Sequence, residues 1–264
     1  IDMICRGEGE YTLLELIESL HAGKDYTGIK NLSVKKDGKI YRNELRPLCD
    51  VNILPYPDRE LYKSVKHVYN NKRQEVMFSR GCYFDCTFCS NHAYKELYKD
   101  KGSYVRLRSI SNVIEELEAI KKRYQPSCFF FHDDVFIFDK NYCLEFLRLY
   151  QEKINLPYAC LVRANQLTDE LAGLLKGTGC YFISFGIESG SPRLRNMMMN
   201  KNIEDESILQ CAKLLHKHRI SFATLNMIGL PGETLAEAWR TVDINMRVKP
   251  NWAWFSIYQP LPKT

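Results

Sequence analysis

Cys82, Cys86 and Cys89 fall within eight residues, in Ser79-Arg-Gly-Cys-Tyr-Phe-Asp-Cys-Thr-Phe-Cys-Ser90. A structural zinc site or an ordinary ferredoxin cluster takes four protein ligands. Three thiolates can wrap a cuboidal 4Fe–4S cluster and leave one iron without a protein ligand, where a small molecule can coordinate. Two plainer readings stay open at this point. One is a zinc site completed by His92 at Cys-x-x-His spacing, and the other is three unligated thiols.

A loop of this kind needs elements to hold it. From about Glu75 onward the sequence alternates strand and helix signals. Strands are predicted over Val76–Ser79, Cys128–Phe131, Tyr158–Val162, Tyr181–Phe185, Phe222–Ile228 and Trp254–Tyr258. Helices are predicted over Asn112–Tyr124, with Asn112 and Glu115 suited to a capping box, and over Lys140–Lys153 behind Asp139. Further helices follow Thr168, span Ile203–His218 and follow Thr234. Six largely apolar strands separated by helices imply a parallel sheet, and right-handed crossovers would curl it into a partial (β/α)6 barrel of the TIM type. The fold class is therefore α/β.

The first 63 residues read as a small α+β piece. Tyr11–His21 is apolar at helical spacing, Asn31–Val34 and Ile40–Tyr41 flank a hairpin signal at Asp37-Gly38, and Leu54-Pro-Tyr-Pro-Asp58 reads as an extended linker. Two domains are expected, 1–63 and 64–264.

In a parallel barrel, ligands sit at the C-terminal strand ends. The unusual polar residues fall there: the cysteine loop, His132-Asp133-Asp134, Arg163, Gly186-Ile-Glu-Ser-Gly190, Gly229-Leu-Pro-Gly-Glu233 and Tyr258-Gln259-Pro260. One of Asp133 and Asp134 is expected only to cap a turn, and Arg163 can equally pair with a structural carboxylate. Glu188 between glycines is hard to explain by packing. His216 and His218 read as surface, and Trp239, Trp252 and Trp254 as core.

The cysteine spacing, with Phe88 before the last thiol, resembles the signature of the radical S-adenosylmethionine (SAM) enzymes. Phe131-His-Asp-Asp134, Gly186–Gly190 and Met227-Ile-Gly-Leu-Pro-Gly-Glu-Thr234 resemble the subfamily that carries a cobalamin-binding domain upstream. Arg6-Gly-Glu-Gly-Glu10 and the linker are similar to the tail of that domain. The resemblance implies a cluster on Cys82, Cys86 and Cys89. It places Phe88 and the backbone of Gly229 to Pro231 by the adenine, Asp133 or Asp134 and Arg163 by the methionyl end, and Glu188 by the ribose or amine. It implies reductive cleavage of SAM to a 5′-deoxyadenosyl radical, serving methylation, cyclisation or rearrangement of an unactivated carbon. Cobalamin would be held mainly by a domain outside this chain. A methylthiotransferase acting on transfer RNA is the rival enzyme, and a zinc or iron–sulfur module without turnover the non-enzyme rival. Pro262-Lys263-Thr264 departs from relatives, which often have glycine in the middle.

The 264 residues are 45% hydrophobic and 26% charged, with 37 Lys and Arg against 32 Asp and Glu. That excess gives a nucleic-acid partner no support. The expected partners are a small-molecule substrate and a low-potential donor, a ferredoxin or flavodoxin. No stretch is long and apolar enough to span a membrane, and no signal peptide is visible. The chain starts at Ile1 and stops after a strand-like run, so it is expected to be a segment of something longer. Cys5, Cys49, Cys128, Cys143, Cys160, Cys180 and Cys211 are expected to be buried and reduced, which suits a cytoplasmic protein.

Overall fold

The computed structural model describes residues 1–260, the side chain of Val68 excepted; Pro262-Lys263-Thr264 lies outside the described residues. The chain opens with β1 (Met3–Cys5), α1 (Glu10–His21), β2 (Leu32–Lys36) and β3 (Lys39–Arg42), the strands forming an antiparallel sheet in that order. Asp37 and Gly38 take φ of 50° and 73°. Two positive φ values make the turn whose twist matches the strands, so Lys36 pairs with Lys39. The apolar stripe that predicts α1 does not face this sheet. Leu13, Leu14, Ile17 and Leu20 are exposed, and the helix meets the sheet side through Thr12 and Leu16. Leu54–Asp58 is neither helix nor strand.

After a 3-10 turn, Arg59–Tyr62, the order is α2 (Lys66–Tyr69), β4 (Arg73–Val76), β5 (Ser79–Arg80), α3 (Ser90–Leu97), β6 (Arg106–Leu107), α4 (Ile110–Tyr124), β7 (Cys128–Phe131), α5 (Lys140–Lys153), β8 (Tyr158–Val162), α6 (Asp169–Gly177), β9 (Cys180–Glu188), α7 (Asp205–Lys217), β10 (Ser221–Ile228), α8 (Leu235–Val248) and β11 (Trp252–Ile257). Strands β4, β7, β8, β9, β10 and β11 form one sheet in sequence order, and every neighbouring pair is parallel. This is the open, partial barrel that the alternating pattern implies.

Period-two alternation sorts the strand residues. Phe129, Phe131, Tyr158, Ile183 and Phe185 face the helices and join one core with Leu117, Phe146 and Leu215. Each such side chain, fully buried, contributes about 1.5–3 kcal/mol. The aromatics meet edge to face, as Tyr150 and Tyr158 do at 5.1 Å. Phe130 points to the opposite face, where it packs on His132.

The helix caps follow from sequence. Asp139 accepts from Tyr142 N and Thr168 from Leu171 N, while Thr234 and Glu237 form a reciprocal capping box. For α4 the expectation fails: Ser109, not an Asn112–Glu115 box, caps the helix, accepting from Asn112 N. The first barrel strand also lies earlier than predicted, at Arg73–Val76. Ser79 and Arg80 leave the parallel ladder and pair antiparallel with Leu107 and Arg106.

Trp239, Trp252 and Trp254 are exposed rather than core. β11 is an edge strand with a single neighbour, and among the described residues no helix follows it to cover its outer face. Of the seven scattered cysteines, Cys5 is exposed and Cys128 half-buried, while the other five are buried; none is in a disulfide. His216 is exposed, and His218 is half-buried against Asp169. Among the described residues no helix is long and apolar enough to cross a membrane.

Candidate functional site

The cysteine loop sits inside the first crossover of the barrel. Gly81 takes φ +84°, and a Cβ there would lie 2.6 Å from the Tyr104 carbonyl oxygen. Only glycine fits that approach. Beyond it Cys82 and Cys89 are half-buried and Cys86 is buried. Distant elements pin the loop. Thr87 donates from its N–H to Met199 O at 3.0 Å and from its hydroxyl to Met198 O at 2.8 Å. Asn200 donates to Asp85 O at 3.0 Å, and Lys95 to Phe84 O at 3.0 Å.

Cys89 is the N-cap residue of α3 and makes no side-chain capping bond. The amide end of a helix favours negative charge. Two donors reach the sulfurs: Arg163 Nη1 lies 3.7 Å from Cys86 Sγ, and Asn91 Nδ2 3.6 Å from Cys89 Sγ. Burial pushes the Cys82 thiol up, and Asp134 nearby adds to this. Among the described residues no three His, Cys, Asp or Glu side chains are placed to hold one metal ion. Three thiols on one loop, two of them with a donor at the sulfur, match in number the protein ligands of a cuboid cluster with one free iron.

The two aspartates after β7 part company. Asp133 is fully buried, and its Oδ1 accepts from Phe78 N at 3.0 Å, Ser79 N at 2.6 Å and the Ser79 hydroxyl. These bonds tie Asp133 to the backbone that leads into the cysteine loop, the structural role expected of one of the two aspartates. Its Oδ2 has no partner. Asp134 faces Cys82, and partial burial raises its carboxyl against the hydrogen bond from Asn91.

Burial pushes the Asp133 carboxyl up to about 7, against the bonds from Ser79 and Phe78. An unfolded aspartate ionises near pH 4, so between about pH 4 and 7 the folded chain holds a proton that the unfolded chain has lost. Stability from this group is full below pH 4 and is lost as pH rises through 7. Asp133→Asn should remove that slope, gaining on the parent by roughly 1.4 kcal/mol per pH unit across the window. Urea unfolding at pH 5, 6 and 7 checks this, and parallel curves would refute it.

Arg163, at the end of β8, is buried and stacks its guanidinium 3.8 Å from the centroid of Phe84. It also donates to Asn165 at 3.2 Å and to the carbonyl of Lys201. Glu188 ends β9 at a bulge: Leu225 pairs with Gly186 and Asn226 with Glu188, leaving Ile187 unopposed. Its φ is +65°, a conformation that costs a residue with a side chain about 1–3 kcal/mol. The carboxylate is thereby turned onto Lys201 Nζ, 2.8 Å away. Gly186 leaves the space, since a Cβ there would lie 1.9 Å from Glu188 Oε1. Gly190 serves packing instead; its Cβ would lie 2.2 Å from Arg240 O on α8.

The turn after β10 is closed by Glu233, which accepts from Gly229 N at 2.6 Å and Leu230 N at 3.2 Å. Gly229 takes φ +77°, and Pro231 is exposed beside it. Leu230 is buried among Leu194, Met199 and Phe88, so the turn and the cysteine loop meet.

One mouth therefore gathers Cys82, Cys86, Cys89, Phe88, Asp134, Arg163, Glu188 and the Gly229–Pro231 turn. Sequence reasoning missed Lys201, Asn91 and the fully buried Arg195. Arg195 holds the segment after β9 by donating to Ser189 O at 2.9 Å and Ile203 O at 2.6 Å. Lys201 touches Glu188, Phe88 and Arg163 at once. Its one sequence signal is a basic residue shortly after the Glu188 loop.

The family model described as Radical SAM superfamily matches residues 76–244. An uncharacterized methyltransferase of Pyrococcus horikoshii is 33% identical over 267 residues, covering 100% of this chain and 57% of the relative. An anaerobic magnesium-protoporphyrin IX monomethyl ester cyclase of Rubrivivax gelatinosus is 25% identical, covering 99% of this chain and 48% of the relative. The solved structure of the radical S-adenosylmethionine methyltransferase TsrM from Kitasatospora setae, with tryptophan substrate and a SAM analog, superposes with a TM-score of 0.76 at 19% identity, over 97% of this chain and 51% of that one. The chain thus spans about half the length of the relatives it matches. With the matched region covering the barrel and the cysteine loop, the chain belongs to the radical SAM superfamily, the enzymes that use a 4Fe–4S cluster and SAM.

Proposed function

We propose that this chain carries the SAM-cleaving centre of a cobalamin-using enzyme that methylates or cyclises a small-molecule substrate at an unactivated carbon. The observation that carries the reading is the single mouth at which three unpaired thiols meet Arg163 and the buried Glu188–Lys201 pair. Relatives named methyltransferase and cyclase support it, as does the likeness of fold to an enzyme solved with cobalamin and a [4Fe-4S] cluster bound.

Cys82, Cys86 and Cys89 would hold the cluster, with Arg163 and Asn91 donating to its sulfur ligands. When bound and reduced by an external donor, the cluster would supply the one electron needed for reductive cleavage of SAM held beside it. Asp134 and Arg163 orient the methionyl end, Glu188 with Lys201 the ribose or amine, and Phe88 with the Gly229–Pro231 turn the adenine. The net charge of +5 suits docking of an acidic ferredoxin or flavodoxin.

Anaerobic reconstitution tests the reading. Four irons per chain, a reduced-cluster spectrum altered by SAM, and 5′-deoxyadenosine released under dithionite are expected. One tightly bound zinc, or an intact cluster that releases no nucleoside, would refute it.

A further inference from the structure

We propose that Glu8 is a positioning residue for the cluster: by neutralising Arg80 and Arg106 it fixes the hairpin that carries Cys82. The segment upstream of the barrel is then a working part of the cluster site. The proposal rests on the cluster reading above and adds a residue outside the mouth.

Arg80 and Arg106 are direct partners in the β5–β6 ladder. Like charges placed opposite each other repel, and here both are partly buried. Glu8 lies across them with both oxygens engaged. Oε1 accepts from Arg80 Nη1 at 2.9 Å and Arg106 Nη2 at 2.7 Å. Oε2 accepts from Arg106 Nη1 at 3.1 Å and Cys49 N at 2.9 Å. Burial alone would raise this carboxyl, but Arg106, the Cys49 N–H and Arg80 hold it down to about 2. It therefore stays charged at any working pH.

Glu8 has little freedom to move. Its N–H donates to Tyr98 Oη at 2.7 Å, and a Cβ on Gly7 would lie 1.9 Å from the same oxygen. Nor can the hairpin shift without the cluster loop. Gly81 alone separates Arg80 from Cys82, and it is wedged against Tyr104 O. Asp133 grips Ser79 on one side and Glu8 grips Arg80 on the other. Glu10 also accepts from Arg80 Nη2 at 2.5 Å, but among the described residues Arg106 has no carboxylate partner besides Glu8. Without Glu8 its guanidinium faces Arg80 uncompensated, which would spread the hairpin and carry Cys82 with it.

The test uses the full chain, reconstituted with iron and sulfide, as parent, Glu8→Gln, Glu8→Gln/Arg106→Gln, and the surface control Glu15→Gln. Iron content, thermal midpoint, the SAM-induced change in the reduced-cluster spectrum and dithionite-driven 5′-deoxyadenosine release are measured. Glu8→Gln should keep its fold and iron while nucleoside release falls about 10–100-fold, as for other supports behind metal ligands. The spectral response to SAM should weaken with it. The double variant, with one facing cation removed, should recover most of the rate, and Glu15→Gln should match the parent. Unchanged release and spectrum in Glu8→Gln beside a working parent overturn this proposal alone. So does a loss that tracks the thermal midpoint and is not rescued. A parent that takes up no iron overturns the cluster reading and this proposal together.

Discussion

Cys86→Ala, reconstituted anaerobically, should lose cluster iron to background and release no 5′-deoxyadenosine, while Cys211→Ala should keep both. Both thiols are buried but they are differently placed. Cys211 is on the buried face of α7 in the apolar core, where burial pushes its thiol up to about 12. A thiol held neutral is neither ligand nor nucleophile, and its loss should cost only about 1 kcal/mol of stability. Cys86 has the Arg163 guanidinium 3.7 Å from its sulfur, and that cation stacks on Phe84 of the same loop. With two thiolates left, the loop would lack the third protein ligand that the cluster takes. Iron analysis with the nucleoside assay decides the matter. Full iron in Cys86→Ala would remove this thiol from the ligand set.

The barrel was legible because its signals are local. Asp139, Thr168 and Thr234 each sit at an N-cap, and the strands carry aromatic and β-branched runs between them. What escaped depends on residues far apart. Ser79 reads as the end of a strand until Asp133, 54 residues away, takes its N–H. The tryptophans of β11 read as core because composition does not reveal that a strand is an edge. Leu13, Leu14, Ile17 and Leu20 predict a helix correctly and its buried face wrongly, since the sheet beside α1 takes only Thr12 and Leu16. The cysteine spacing, Arg163 and Glu188 stood out by residue type at strand ends. Glu8 and Lys201 did not, because a charged residue in a loop looks like surface until its partners are known.

Lys201→Met should be the most destabilising change at the mouth. The ammonium lies 2.8 Å from Glu188 Oε1, with side chains only 9% and 12% exposed. Removing one member of such a pair strands the other in a poor solvent and costs about 3–5 kcal/mol, whereas replacing both by neutral groups costs little. Glu188→Gln/Lys201→Met should therefore unfold nearer to the parent in urea than Lys201→Met alone. Activity should not follow. If Glu188 and Lys201 orient bound SAM, single and double variants alike should release 5′-deoxyadenosine about 10–100-fold more slowly, the worth of one charge-assisted hydrogen bond at about 1.5–3 kcal/mol. The strained φ of Glu188 and the space left by Gly186 argue the same way. A pair kept only for stability needs neither a bulge nor a left-handed residue to present it at the mouth. A double variant that regained both stability and turnover would show that the pair is scaffolding.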